Sequence, residues 1–344
     1  MSLKLSDNIE SVKHSTEELA KIYVGEDLVF EHDKPVWLVR LSTMMLYSLD
    51  AINFTVMKTW TGSEHFYGGC FADGRFIYGR LNDTNLWTQL PKDVAKGIYR
   101  YYGINTSYIN QGVASMASNG ENVIAIIPAS QSRVVYSLDG GKNWNYTKID
   151  SSIDEISYIG NNRFYLHNVG DGNKGHYFYW NADNPGTYYN TDIGLNKNVL
   201  NVCRCNDNSK TYYISVAGYD TYYSYNGKDL IATVPTLHDS GYSAYPDNFV
   251  YCYGKYYCIY RGFIYSSTDG KTFSKITFSE FNSFTEIQKS NNKLTFVRAA
   301  GKNTNFGIIN SNNTLTYTTV NDSQSAYTDA YGKHNWLCNR FPKI

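Results

Sequence analysis

Three aspartates stand in nearly the same local company. Asp50 lies in Ser48-Leu49-Asp50-Ala51-Ile52-Asn53-Phe54, Asp139 in Ser137-Leu138-Asp139-Gly140-Gly141-Lys142-Asn143-Trp144, and Asp269 in Ser267-Thr268-Asp269-Gly270-Lys271-Thr272-Phe273. A carboxylate recurring in this way has two chemistries open to it. It can carry protons in catalysis, or it can accept hydrogen bonds from the backbone amides just after it and shape a turn. The residues around it favour the turn: glycine permits positive φ, and the closing Phe or Trp can fold back over a hairpin into apolar surroundings. Ser48, Asp50 and Phe54, then Ser137, Asp139, Gly141 and Trp144, then Ser267, Asp269, Gly270 and Phe273 are therefore read as folding residues. No catalytic residue, metal ligand or cofactor is assigned.

Other reactive side chains form no recognisable constellation. The seven histidines are scattered, and no Gly-x-Ser-x-Gly elbow or phosphate-binding glycine loop occurs. His167 and His176 fall on expected strands, where a packing or surface role is the simpler reading. Cys70 and Cys338 have no sequence-near partner, Cys203 and Cys205 are too extended on one strand to bridge, and Cys252 and Cys258 flank the expected turn Gly254-Lys255, where they could face each other. No Cys/His spacing points to zinc. A carboxylate pair for glycoside hydrolysis would come together only in the fold.

The elements that position these turns follow from their spacing. From Ser48 to Ser137 is 89 residues and from Ser137 to Ser267 is 130, so a unit of about 44 residues fits twice and then three times. That is the length of four short strands with their turns, one blade of a β-propeller. Weaker turns keep the period at Trp180 to Gly186, Tyr223 to Lys228 and Asn310 to Asn313. The interval 79 to 105 lacks one, with Arg80 to Asn85 as the best candidate. Alternating apolar runs supply the strands, among them Ser132 to Tyr136, Arg163 to His167, Thr211 to Val216, Tyr256 to Arg261 and Lys293 to Arg298. Pro35 to Leu41 and Met44 to Tyr47 at one end, and Ser325 to Thr328 and His334 to Phe341 at the other, are incomplete alone and are expected to share a blade. The expected fold is all-β: a single six- or seven-bladed β-propeller over 35–344, closed by both termini, after a short hairpin extension at 1–34.

Composition narrows the partners. Lys plus Arg equals Asp plus Glu at 31 each, so no global field attracts nucleic acid, and no segment has the apolar length of a membrane span. The start carries no apolar h-region, so no signal peptide is expected. Thirty-three tyrosines cluster in runs such as Tyr99 to Tyr102, Tyr177 to Trp180, Tyr222 to Tyr225 and Tyr251 to Tyr257. Such rings can stack on sugars or build protein interfaces, although most are expected to pack between blades.

The segment before the ring has a repeat of its own. Glu10 to Leu19 is followed ten residues later by Ala20 to Phe30, with Val12 matching Ile22 and Leu19 matching Val29. The second copy reads as a tight hairpin with its turn at Gly25 to Asp27. Ser15-Thr16-Glu17-Glu18 also permits a helix start, with a helix over Ser15 to Tyr23.

Two resemblances follow from these residues. The aspartate turns resemble the Asp-box, or bacterial neuraminidase repeat, of sialidases and of many propellers that are not sialidases; the resemblance implies a peripheral turn between the third and fourth strands of a blade. Lys21-Ile22-Tyr23-Val24-Gly25-Glu26-Asp27-Leu28-Val29-Phe30 resembles a hairpin found near the ends of many tailed-bacteriophage virion proteins. That implies a tail or baseplate component, made in the host cytoplasm, with residues 1–34 attaching it to other virion proteins; a β extension covering one face of the propeller is the alternative. Sialidases carry three arginines, a tyrosine nucleophile with a glutamate, an acid/base aspartate and an Arg-Ile-Pro type motif ahead of the first box. That motif is absent, leaving Arg40 ahead of Ser48 and Arg340-Phe341-Pro342 at the far end. The expected function is non-enzymatic virion structure and binding, with a host-surface glycan as the candidate ligand. A sialidase-like hydrolase and a purely structural interaction propeller are the alternatives.

Overall fold

The computed structural model describes residues 12–31 and 35–321, apart from short intervals of which the longest are 61–67, 80–84, 106–112, 128–132, 168–175, 193–198, 205–211, 217–220 and 238–245, together with 336–338. The chain divides into two compact units, Met1–Pro35 and Val36–Ile344.

In the first unit Val12–His14 pairs with Glu17–Leu19, and Lys21–Val24 pairs with Asp27–Glu31, both antiparallel. The ten-residue repeat is thus two short hairpins. The helix reading of Ser15 to Tyr23 is corrected, since Glu17–Leu19 and Lys21–Val24 are strands. The physical reason is length: a helix of nine residues barely repays its nucleation, whereas Ile22 and Val24 favour extended backbone and find partners in Phe30 and Asp27.

The second unit is built from four-stranded antiparallel sheets, seven among the described residues. Sheet I holds Trp37–Arg40, Met44–Ser48 and Thr55–Thr59, with Trp336–Cys338 as its first strand. Sheet II holds Gly69–Ala72, Arg75–Gly79, Asn85–Gln89 and Tyr102–Asn105. Sheet III holds Ser115–Ser118, Val123–Ile127, Arg133–Ser137 and Asn145–Lys148. Sheet IV holds Glu155–Gly160, Arg163–His167, His176–Asn181 and Tyr188–Asp192. Sheet V holds Val199–Arg204, Tyr212–Val216, Thr221–Asn226 and Asp229–Val234. Sheet VI holds Asp247–Cys252, Lys255–Tyr260, Phe263–Ser267 and Ser274–Lys275. Sheet VII holds Glu286–Ser290, Lys293–Ala300, Asn303–Ile309 and Leu315–Asn321.

Sheets II to VII are simple meanders, each strand pairing with the next in sequence. Sheet I is assembled from distant segments: Trp336 lies opposite Val39, Leu337 opposite Leu38 and Cys338 opposite Trp37. The strands expected at Ser325 to Thr328 and beyond Asn339 lie outside the described residues. First strands pack in succession, sheet I against II, II against III, and so on to VI against VII. The circuit is completed by an apolar cluster joining Trp37, Val39 and Leu46 of sheet I to Val297, Phe306 and Ile308 of sheet VII.

Most apolar clusters fill a joint between neighbours. Cys70, Ile77 and Leu86 of sheet II meet Met116, Val123 and Val135 of sheet III, and Val134 and Tyr136 of sheet III meet Ile156, Phe164 and Trp180 of sheet IV. The largest fully buried side chains are mostly aromatic, including Trp37, Trp180, Tyr78, Tyr257, Phe76 and Phe164. Large rings suit this joint because two twisted sheets leave a wide gap that only long side chains span.

Two expectations are corrected. Arg80 to Asn85 is not a third-to-fourth turn, because Arg75–Gly79 and Asn85–Gln89 on either side of it are the second and third strands. The third-to-fourth connection of sheet II instead carries the short helix Pro91–Val94, started by proline in its first turn and closed by Ala95 N–H donating to Pro91 O at 2.7 Å. Cys252 and Cys258 do not face each other: Cys252 lies opposite Lys255, while Cys258 is opposite the irregularity between Asp247 and Val250. They belong to different apolar clusters, and both are buried free thiols, as is Cys70.

Candidate functional site

Each predicted aspartate sits just past a third strand, whose last residue is the box serine: Ser48, Ser137 or Ser267. The serines are buried, at 1%, 0% and 4% exposure, so their hydroxyls must be satisfied within the turn. Each hydroxyl donates to the aspartate Oδ1, at 2.9 Å to Asp50, 2.7 Å to Asp139 and 2.8 Å to Asp269. The same serine oxygen accepts from an amide across the turn, that of Ala51, Gly141 or Gly270.

The carboxylate gathers the next amides. Ile52 and Asn53 N–H donate to Asp50 Oδ1 at 2.8 and 2.7 Å, and Lys271 and Thr272 N–H to Asp269 Oδ1 at 2.8 Å each. In the second box Lys142 and Asn143 N–H reach Asp139 Oδ1 at 3.1 and 2.9 Å, and Asn143 Nδ2 takes Oδ2. The turn needs a left-handed residue three positions after the serine, at φ 70° for Gly140 and 71° for Gly270, and the longer second box adds another at Gly141, φ 90°. Ala51 occupies the same place at φ 67° and bears the cost that glycine avoids.

The electrostatics follow from these bonds. Burial pushes the Asp50 and Asp139 carboxyls up, but the donated amide, side-chain amide and serine hydrogen bonds outweigh it and bring both to about 2. Asp269 is brought to about 2 mainly by the amides of Thr272 and Lys271. A carboxylate so stabilised is a poor proton carrier near neutrality. A depressed carboxyl contributes stability above its unfolded pKa and loses it as pH falls through the folded value. Melting temperature is therefore expected to fall as pH drops from about 4 towards 2. Replacing all three aspartates with asparagine should flatten that slope, and a slope unchanged in the triple variant would show that other carboxyls set it.

Two of the three closing aromatics reach backwards to the preceding sheet. Trp144 joins the cluster of Cys70, Ile77 and Leu86 in sheet II, and Phe54 lies 5.4 Å from Phe306 of sheet VII. Phe273 instead packs against its own sheet, 6.0 Å from Phe249 of its first strand, and against Leu237 just before that strand. Polar contacts run the same way. Lys142 Nζ pairs with Asp73 of sheet II at 2.8 Å, and Lys293 Nζ of sheet VII donates to Asp50 O at 3.1 Å while lying 5.7 Å from the Trp37 ring. The first two boxes therefore act as joints between sheets, the third packs within its own, and the three are not brought together in one site.

The same end of the sheets holds joints that sequence reasoning missed. Asp73 N–H donates to Gly120 O, Asn119 Nδ2 to Asn162 Oδ1, and Leu294 N–H to the Tyr253 hydroxyl, each linking the first hairpin of one sheet to that of the next. Asn162 lies at φ 57° and Tyr253 at φ 51°, so their signal was a left-handed turn residue between two apolar runs. The weak turn at Trp180 to Gly186 keeps part of the box: Asp183 N–H donates to Asn181 Oδ1, and Trp180 Nε1 to Pro185 O.

Of the arginines weighed for substrate binding, Arg40 ends the second strand of sheet I, and Arg340 lies outside the described residues. His167 ends one strand of sheet IV and His176 begins the next. Among the described residues no group of three or more His, Cys, Asp or Glu is placed to hold a metal ion.

No family model and no curated protein matches the sequence. Solved structures do match. YCF48 bound to D1 peptide aligns with a TM-score of 0.58 at 12% identity, over 77% of this chain and 87% of that one. Virginiamycin B lyase from Staphylococcus aureus aligns at 0.55 and 11%, over 74% and 84%. The WD40 propeller domain of Doa1 aligns at 0.51 and 12%, over 85% and 90%. At such identities the likeness concerns fold alone. The chain is an all-β β-propeller protein.

Proposed function

We propose that this chain is a non-enzymatic component of a tailed-phage virion, in the tail or baseplate. It is made in the host cytoplasm and attached to other virion proteins by residues 1–34. Of the six- or seven-bladed alternatives the propeller takes seven blades, three of them bearing Asp-boxes, is closed by strands from both termini, and recognises a host-surface glycan. It binds no nucleic acid and inserts into no membrane.

The observation that carries this reading is the paired hairpin Lys21–Val24 with Asp27–Glu31, held in a compact unit of its own. It supports the virion resemblance of those same residues. The blade count is supported by the seven four-stranded sheets and by the pairing of Trp336–Cys338 with Trp37–Arg40. The non-enzymatic reading is supported by the commitment of Asp50, Asp139 and Asp269 to their own turns.

The test is assembly. A chain lacking residues 1–34 should fold with an unchanged melting transition and be absent from purified particles, and its normal incorporation would move the attachment surface onto the propeller. The full chain should release no sialic acid from a sialoside. Turnover that disappears with Arg40→Ala or Arg340→Ala would restore the hydrolase reading.

A further inference from the structure

On sheet VII, Arg298, Asn305 and Thr319 lie opposite one another on the second, third and fourth strands. Their side chains form one row: Arg298 Nη1 donates to Asn305 Oδ1 at 3.1 Å, and Asn305 Nδ2 donates to Thr319 Oγ1 at 2.7 Å. Phe281, on the segment arriving from sheet VI, lies 4.8 Å from the guanidinium carbon. The next row is Phe296, Gly307 and Tyr317. Tyr317 is 38% exposed with its ring 5.2 Å from that of Phe281. A Cβ on Gly307 would collide with Thr316 O and Tyr317 Cβ, so glycine is what lets the outer strand lie close.

This guanidinium is held on both sides yet has no carboxylate partner among the described residues. Nη1 is spent on Asn305 and Nε is buried without an acceptor, which leaves Nη2 as the corner open to a ligand. A half-buried cation without an anion is costly, and the planar arginine fork suits carboxylate and phosphate oxygens. An exposed aromatic ring beside it can take the apolar face of a sugar.

We infer that this flank binds an acidic saccharide, with Arg298 taking the anionic group, carboxylate or phosphate, and Tyr317 stacking on the ring that carries it. The inference rests on the glycan-binding reading above and names its ligand class.

An array of oligosaccharides matched in length, in neutral, uronate-bearing and phosphate-bearing forms, tests it with the full chain. Binding should concentrate on acidic members, the two acidic arms telling carboxylate from phosphate. It should weaken about tenfold or more in Arg298→Gln and in Tyr317→Ala at unchanged melting temperature, with Arg298→Lys intermediate because it keeps the charge and loses the fork. Should Arg298→Gln lower the melting temperature, Tyr317→Ala at its exposed position carries the same test. Binding confined to neutral members, or acidic binding indifferent to both positions, overturns this site and leaves glycan recognition standing. Binding to no member overturns both.

Discussion

Replacing Trp144 with alanine is expected to lower the unfolding free energy by about 3 to 5 kcal/mol, the range for large aromatic truncations in a core. Trp144 is only 9% exposed, fills the joint between sheets II and III, and donates from Nε1 to Gly141 O at 3.0 Å. Its loss opens a cavity that two sheets line, and neither can move inward without disturbing its other neighbour. Asp139→Ala should cost less, about 1 to 3 kcal/mol, because the bonds it accepts from Lys142 and Asn143 are exposed and repaid by water, which leaves the buried Ser137 hydroxyl as the main group deprived of a partner. Urea titration of both variants checks the order. A Trp144→Ala protein within about 1 kcal/mol of the parent would mean that the ring is packed less tightly than its burial implies.

Deleting residues 333–344 should do more than any single substitution in the boxes. It removes Trp336–Cys338 and leaves Trp37–Arg40 as an open inner edge, with its amides and carbonyls unpaired. Trp37 and Leu38 are both at 0% exposure, and Val39 at 1%, so the edge uncovered is also apolar. The ladder bonds contribute about 1 kcal/mol each, and newly exposed apolar surface adds about 25 cal/mol per Å². The truncated chain is expected to lose cooperative unfolding and to associate as concentration rises. Calorimetry and sedimentation at two concentrations measure both effects. A monomer with the parent's transition would show that sheet I is complete without its distant strand.

Much of this protein is legible along the chain because its signals are local. A box turn closes its hydrogen bonds within seven or eight residues, so Ser48, Ser137 and Ser267 report both the turn and the end of a strand. Their spacing then gives the repeat, and the repeat gives the class of fold. The hairpin of Lys21–Val24 with Asp27–Glu31 is legible for the same reason.

What failed along the chain is equally physical. The short helix at Pro91–Val94 occupies the place of a box turn, and a helix of four residues leaves no periodicity to read. Cys252 and Cys258 seemed able to face each other because the turn was placed at Gly254-Lys255, whereas the left-handed pair Tyr253-Gly254 makes it and sets Cys252 opposite Lys255.

Residue types and their spacing were enough to establish strands, turns and a repeat near 44 residues, because hydrogen bonds between near neighbours and alternating burial leave their mark within a few residues. Which sheets touch, and through which side chains, could not be read that way. Lys293 meets Asp50 across 243 residues, and Arg298, Phe281 and Tyr317 converge from two strands and a loop. Such contacts are fixed by the twist and succession of whole sheets, and nothing in the local sequence of either partner records the other.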